Sequence, residues 1–567
     1  MKLSIIFFMS SMMFLEIMFF SFLISVYLLK KKLNFLIYWM LYFFNSMEIK
    51  YLILIDWMCM LFISVISLIS SMILVYSIEY MEGDKFLKRF FFLKILFIIS
   101  MYLLILSPSL ISILLGWDGL GLISFCLVIY YQNLKSYIAG MLTILLNRVG
   151  DIMLLMSIGM ITLIGSFNLM NYIINNFMLL LLLIIAGMTK SAQIPFSSWL
   201  PAAMAAPTPI SAMVHSSTLV TAGIYMLIRF NKLFEMSYKL KEILMCLMVL
   251  TMIMASMSAS MENDLKKIIA LSTLSQLSLM LVSLFLINEI LAFFHLLTHA
   301  LFKSMLFMCS GYIIHYMKNF QDIRYLGSMI YLSPIMVMSF SVSNYSLSGI
   351  YFLTGFYSKD LIIEYVMNLK MNLLIMISAY FTGMFSLIYS FRLMFYCMVS
   401  QWNFMKLSSS LIEFKLMNIS LMFMMVMTVF GGVFLSWNYF NYINILVLSM
   451  KIKVIMILML IFGMIFSMMF WKINLFSSMK KKMFLVYFLM DLWMLKNLLT
   501  NNNKVIYFSS MNYYFKVEKG WNEFFGVKLL NKFSSEIIKW WNKKVKNLML
   551  ILFMNFFFTL LLVIVMI

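Results

Sequence analysis

Six cations stand within long apolar runs of this 567-residue sequence: Lys94, Arg148, Lys190, Lys303, Lys359 and Arg392. A charged side chain in hydrocarbon is costly unless it is paired or hydrated, so each is a candidate for function. Lys94 lies near the end of its run, where a long side chain reaches the interface, and snorkelling is its expected behaviour. The other five are expected to lie deep.

Lys190 occurs in Gly187-Met-Thr-Lys190-Ser-Ala-Gln193-Ile-Pro195. Burial withdraws hydration from a lysine's charged form and a nearby carboxylate favours it, so a lysine held between the two can exchange a proton. Asp118, in Gly116-Trp-Asp118-Gly-Leu-Gly121, and Asp151, in Asn147-Arg148-Val-Gly-Asp151, are candidate carboxylates. Arg148 and Asp151 are spaced i, i+3, so mutual neutralisation on one helix face is an equally good reading of that pair.

A second constellation is His295-Leu-Leu-Thr-His299-Ala-Leu-Phe-Lys303, in a chain with only 4 histidines. The i, i+4, i+8 spacing stacks three titratable groups along one helical stripe, as a proton relay requires. A zinc site is the weaker reading, because the glutamate of an HExxH pattern and a further ligand are missing. His215 stands alone in a span and is placed to bridge Lys190 to the stripe; Lys359 and Asp360, in Gly355-Phe-Tyr-Ser-Lys359-Asp360, would end the series. With water between them, these groups make a proton wire in the membrane plane. No phosphate loop, dinucleotide fingerprint or nucleophile elbow appears. Cys59, Cys126, Cys246, Cys309 and Cys397 lie in apolar runs without CxxC spacing and read as small hydrophobes. No redox cofactor and no metal are expected in this chain.

Such groups need helices around them, and the composition supplies them: 64% hydrophobic and 11% charged, against about 45–50% and about 25% in soluble proteins. An all-α polytopic membrane protein is the expected fold class, since a span takes about 20 residues. Apolar runs predict fifteen spans, at 5–29, 51–76, 88–106, 109–131, 137–165, 177–204, 208–230, 241–261, 265–287, 290–317, 331–367, 371–399, 416–436, 446–471 and 548–567. The first run is too long for a signal-peptide core and is followed by Lys30, Lys31 and Lys32, so it is read as a retained span.

Two runs are broken. Pro195 interrupts 177–204, and Gly349 and Gly355 interrupt 331–367, which is too long for one straight span. Discontinuous helices point to transport. Threading the chain places twenty-five of the 42 Lys and Arg residues on the face of the N-terminus and eleven on the other, so the N-terminal face is read as inner. The net charge of +21 therefore speaks of topology; nucleic acid is not an expected partner. The polar segment before the last span places apolar residues at helical spacing opposite lysines, as in a helix lying on a surface of anionic lipid or neighbouring subunits. The expected organisation is N-terminal spans in 1–115, a translocating core in 116–400, further spans in 401–471, the lateral helix segment in 472–547 and an anchor in 548–567. The excess of Met (62) and Phe (55) suits an AT-rich organellar genome.

Eight ordered strings resemble the subunit 5 family of NADH dehydrogenase, the antiporter-like subunits of respiratory complex I, in an arthropod mitochondrial form. They are Gly116-Trp-Asp-Gly-Leu-Gly121, Asn147-Arg-Val-Gly-Asp151, Lys190-Ser-Ala-Gln193, Trp199-Leu-Pro-Ala-Ala-Met204, Ala206-Pro-Thr-Pro-Ile-Ser-Ala-Met-Val-His-Ser-Ser-Thr218, Asp264-Leu-Lys-Lys-Ile-Ile-Ala270, Thr298-His-Ala-Leu-Phe-Lys303 and Gly355-Phe-Tyr-Ser-Lys-Asp360. The resemblance implies antiporter-like inverted repeats and proton translocation coupled to quinone reduction elsewhere in a complex. It implies that Lys190 is the central lysine, Asp118 its carboxylate partner, and His215, His295, His299 and Lys303 the relay. Lys359 with Asp360 would be the terminal group that exchanges protons with the outer side. FMN, iron–sulfur clusters and ubiquinone are implied in other subunits. The implied location is the mitochondrial inner membrane, with the N-terminus and a lateral helix on the matrix side, the helix bracing neighbouring antiporter-like subunits. The chain departs from the family in three places: Asp118 stands where Glu is common, the second break lacks proline, and only one clear span precedes Asp56. Glu16 matches nothing in the family. A subunit of a stand-alone cation/proton antiporter is the alternative, and a structural brace with an idle route is a third reading.

Overall fold

A backbone in lipid must satisfy its own hydrogen bonds, which leaves this apolar chain helices as its main recourse. The computed structural model describes residues 2–44, 47–165, 167, 176–234, 238–286, 289–368, 373–400, 414–440, 450–472, 483–495, 507–544 and 554–560. Among these, eleven helices are long and apolar enough to cross a membrane, and two shorter apolar helices accompany them, Phe177–Lys190 and Lys453–Ser467. The charge-bounded runs locate them closely: Leu87–Leu106, Leu265–Leu286 and Glu289–Tyr316 begin and end within a residue or two of expectation. The chain divides into two units, Met1–Trp493 and Met494–Ile567.

Within the first unit the helices Trp57–Tyr80, Thr208–Arg229, Leu265–Leu286 and Glu289–Tyr316 are almost wholly buried, whereas the N-terminal helix is largely exposed. The inner helices carry the polar residues that lipid would penalise, and the outer ones turn Leu, Ile, Phe and Met outward.

One element departs from an all-helical reading. Phe35–Phe44 and Met47–Ile55 form an antiparallel hairpin, with Phe35 opposite Ile55 and a register irregularity between Met40 and Tyr42. The span expected from 51 therefore begins later, at Trp57. Asp56 sets that boundary: its carboxylate accepts from the Cys59 amide at 2.9 Å, capping the helix N-terminus. Arg229 donates to both carboxylate oxygens of Asp56, at 2.7 Å to Oδ1, and ties the hairpin's end to the Thr208–Arg229 helix. Aromatic and β-branched residues crowd the preceding run and suit a pleated surface as well as a membrane helix.

Both expected breaks are present. The helix Phe177–Lys190 ends at its lysine, and a short helix resumes at Trp199–Ala203. Its last carbonyls find other partners: the Gln193 amide donates to Met188 O at 3.1 Å and the Trp199 indole to Thr189 O at 3.0 Å. The second broken helix stops at Ser348 and restarts through a wide π-helical turn, Phe356–Asp360, into Leu361–Asn368. Gly349 adopts φ +89°, and a Cβ on Gly355 would stand 1.7 Å from the Ser346 carbonyl oxygen. Glycine thus supplies both the left-handed residue and the close approach that the break demands, without proline.

In the second unit residues 507–544 are helical, with Lys528 paired to Glu523 at 3.6 Å. Of the span expected at 548–567, residues 554–560 are described and helical; the rest lies outside the described residues.

Candidate functional site

At the first break the Lys190 side chain is completely buried. Its ammonium donates to the Trp117 carbonyl at 3.3 Å and lies 5.0 Å from the centroid of that indole ring. The indole N–H in turn donates to Asp151 Oδ1 at 2.9 Å. Arg148 reaches Asp151 Oδ2 at 3.3 Å and Asp118 Oδ1 at 3.9 Å, so one guanidinium serves both carboxylates. The four sequence candidates Asp118, Arg148, Asp151 and Lys190 are thus assembled around Trp117, and Asp118 makes no hydrogen bond to the lysine.

His215 sits in a π-helical stretch, Ser211–Thr218, whose carbonyls are partly taken by hydroxyls: Ser217 donates to Met213 O at 2.9 Å and Thr221 to Ser217 O at 2.7 Å. Among the described residues neither ring nitrogen of His215 has a hydrogen-bond partner, although the ring is buried and lies edge-on to Trp199 at 6.3 Å. No hydrogen-bonded chain among the described residues joins it to Lys190.

The histidine helix, Glu289–Tyr316, brings its stripe into direct contact with the second break. The His295 and His299 ring centroids are 6.3 Å apart. His295 Nδ1 pairs with the Ser358 hydroxyl at 2.9 Å and Nε2 with Gln276 Oε1 at 3.3 Å. Ser358 also meets the Thr298 hydroxyl at 2.8 Å. Lys303 donates to Ser272 at 2.5 Å, and both nitrogens of buried His299 lack a partner among the described residues. A neutral imidazole offers one donor and one acceptor; with Nε2–H donating to the Gln276 amide oxygen, Nδ1 is left to accept from the Ser358 hydroxyl.

Lys359 follows Ser358 and is held by the break itself. Its ammonium donates to the carbonyls of Leu347 at 3.1 Å and Ser348 at 3.4 Å, and to the Ser386 hydroxyl at 2.7 Å. These are end carbonyls of a helix, orphaned by its termination and carrying the negative end of its dipole, which suits a buried cation. Asp360 lies against Gly349, whose added Cβ would stand 2.8 Å from its Oδ1.

Two cations lie elsewhere than expected. Lys94 does not reach the interface: it is buried, with its ammonium 4.1 Å from the Phe90 ring centroid one turn away, because that helix face turns inward. Arg392 is not deep: it donates to Ser260 O at 2.5 Å, Glu262 O at 2.8 Å and Asn263 Oδ1 at 2.8 Å, clasping the turn between Tyr238–Met261 and Leu265–Leu286. Ser358, Gln276, Ser272, Ser386 and the carbonyl of Trp117 join the site without having been expected there. Ser358 and Trp117 stand inside strings singled out for a neighbouring lysine or aspartate; the others carry no signal beyond a polar residue in an apolar run.

Buried lysines at two helix breaks, with histidines between, on a scaffold of membrane-length helices define an antiporter-like membrane protein. Solved structures share the fold: a chain of the Mrp complex from Dietzia sp. superposes with TM-score 0.72 at 19% identity, covering 89% of this chain and 59% of that one. A chain of an archaeal membrane-bound sulfane sulfur reductase superposes with TM-score 0.64 at 21% identity, covering 77% and 90%. The chain belongs to the NADH-ubiquinone oxidoreductase chain 5 family. It is 46% identical over 525 residues to that protein of Anopheles quadrimaculatus, covering 90% of each, and 46% identical over 518 residues to that of Aedes aegypti, covering 90% of this chain and 89% of the relative. Residues 107–386 match the NADH:quinone oxidoreductase/Mrp antiporter transmembrane family, 389–567 the NADH dehydrogenase subunit 5 C-terminus, and 39–91 the complex I chain 5 N-terminus.

Proposed function

We propose that this chain is a proton-translocating membrane subunit of NADH:ubiquinone oxidoreductase, and that its protons move between Lys190 and the Lys359–Asp360 pair through His215, His299, Lys303 and His295. The observation that carries this reading is the second break: Lys359 is buried on helix-end carbonyls, and its neighbour Ser358 bonds directly to His295. A cation so held can give up its proton when the charge beside it changes, and a histidine bonded to the adjacent residue is placed to accept or supply one through water. Asp151, joined to Lys190 through Trp117, and Asp118 on the same guanidinium provide the corresponding charge at Lys190.

The redox chemistry lies outside this chain: FMN, iron–sulfur clusters and ubiquinone belong to other subunits. Those subunits are the partners, with neighbouring antiporter-like subunits and anionic lipid along the helical stretch 507–544. The chain sits in the mitochondrial inner membrane with its N-terminal, more basic face toward the matrix, a reading supported by the uneven distribution of its lysines and arginines. Family membership favours this over a stand-alone antiporter. The test is proton translocation by the assembled complex in liposomes: Lys190→Ala or Lys359→Ala is expected to lower the number of protons moved per electron, and an unchanged ratio in both overturns the assignment.

A further inference from the structure

A cavity of about 220 Å³ opens beside Lys359. Ser348, Lys359 and Asp360 line it from the second break, Glu364 from the following helix, Tyr380 from Leu373–Met394 and Lys453 from Met450–Lys472. Each molecule of liquid water takes about 30 Å³, so the space suits a short file of waters. Glu364 and Lys453 belong to no string that the sequence singled out.

The cavity has a direction. The helix restarting at Phe356 runs toward the face opposite the N-terminus, so Glu364, four residues beyond Asp360, lies nearer that face. Lys453 is in the first turn of a helix that starts from the same face. Tyr380 is early in Leu373–Met394, which also starts there, and Leu387 on the cavity wall is about 10 Å deeper at 1.5 Å per residue. The space therefore joins buried Lys359 at one end to Glu364 and Lys453 at the outer end. Among the described residues Glu364 makes no direct ion pair, and Lys453 lines the same cavity as the cation that shares it.

We propose that Glu364 receives the proton leaving the Lys359–Asp360 pair and passes it to the outer aqueous phase, with Lys453 positioning the Glu364 carboxylate at the mouth. This rests on the translocation route proposed above. In the step, an N–H bond of the Lys359 ammonium breaks and an O–H bond forms on a Glu364 carboxylate oxygen through cavity water, leaving a neutral amine and a neutral acid. Glu364 then loses that proton outward and becomes an anion again, and Lys359 is recharged from the His295 side.

The experiment measures protons moved per electron by the assembled complex in liposomes for Glu364→Gln, Glu364→Asp, Lys453→Met and Lys453→Arg, with Lys359→Ala alongside. Glu364→Gln is expected to lose the same share of translocation as Lys359→Ala, Lys453→Met part of it, and the Asp and Arg variants to retain it. Retention by the conservative variants is what a merely structural role for volume and packing would not produce. If Glu364→Gln keeps the unsubstituted ratio while Lys359→Ala loses its share, this outlet is wrong and the route through Lys359 stands. If both keep it, both fail. Should Glu364→Gln not assemble, Glu364→Cys is treated from the outer side with a membrane-impermeant cationic thiol reagent. Modification beyond that of the native cysteines is expected, and none overturns the proposal.

Discussion

Replacing Ser358 by alanine removes the hydroxyl that meets His295 at 2.9 Å and Thr298 at 2.8 Å, and leaves every charge in place. Thr298 keeps the His295 carbonyl at 3.1 Å, so only His295 Nδ1 is left without its partner. A buried polar group deprived of its hydrogen bond costs about 1–3 kcal/mol, which a protein of this size with intact helices tolerates, so the complex should assemble. Proton transfer should suffer far more, because a positioned proton-transfer group is worth about 10²–10⁴ in rate. We expect translocation through this chain to fall by about 100-fold, the low end of that range, because Gln276 still holds the ring through Nε2 at 3.3 Å. The assay is a pH-sensitive dye in proteoliposomes, normalised to NADH oxidised, with Ser358→Thr as the control that restores a hydroxyl. An unchanged ratio in Ser358→Ala, or a Thr variant as impaired as the Ala variant, refutes the relay through Ser358.

Gly355→Ala should prevent the second break from closing, since its Cβ would fall 1.7 Å from the Ser346 carbonyl; loss of assembled complex on a native gel is expected, and normal assembly with normal pumping would contradict the account of that turn. Arg229→Met strips the partner from Asp56 in a pair whose side chains are only 10% and 11% exposed, which should destabilise the chain by about 3–5 kcal/mol. A lowered midpoint of thermal unfolding in the purified complex, partly restored by adding Asp56→Asn, is the expected signature; an unchanged midpoint would mean that this pair does not hold the hairpin.

That Lys190, Lys303 and Lys359 need special surroundings is legible in the sequence because the penalty for a charge in hydrocarbon is local: whatever the fold, such a residue must be paired, hydrated or held by polar groups, and all three are buried on carbonyls or a hydroxyl. The breaks were legible for the same kind of reason, since glycine and proline change what the backbone at their own position can do. The sequence by itself therefore determined a helical membrane scaffold and which buried titratable side chains it must accommodate. It misjudged Tyr51–Ile55, because a continuous apolar run has no internal mark showing where strand gives way to helix until Asp56 is recognised as a cap. Burial escaped it too: Lys94 is enclosed by protein and Arg392 clasps a turn, because burial depends on which neighbour a helix face meets. Only the tertiary structure decided which groups hold these side chains. The choice of Trp117 as the link between Lys190 and Asp151, and of Ser358 as the partner of His295, depends on atoms brought within 3.3 Å across residues 34 to 73 positions apart. A serine in a helix can always satisfy itself on a carbonyl three or four residues back, so its spacing carries no trace of a distant partner.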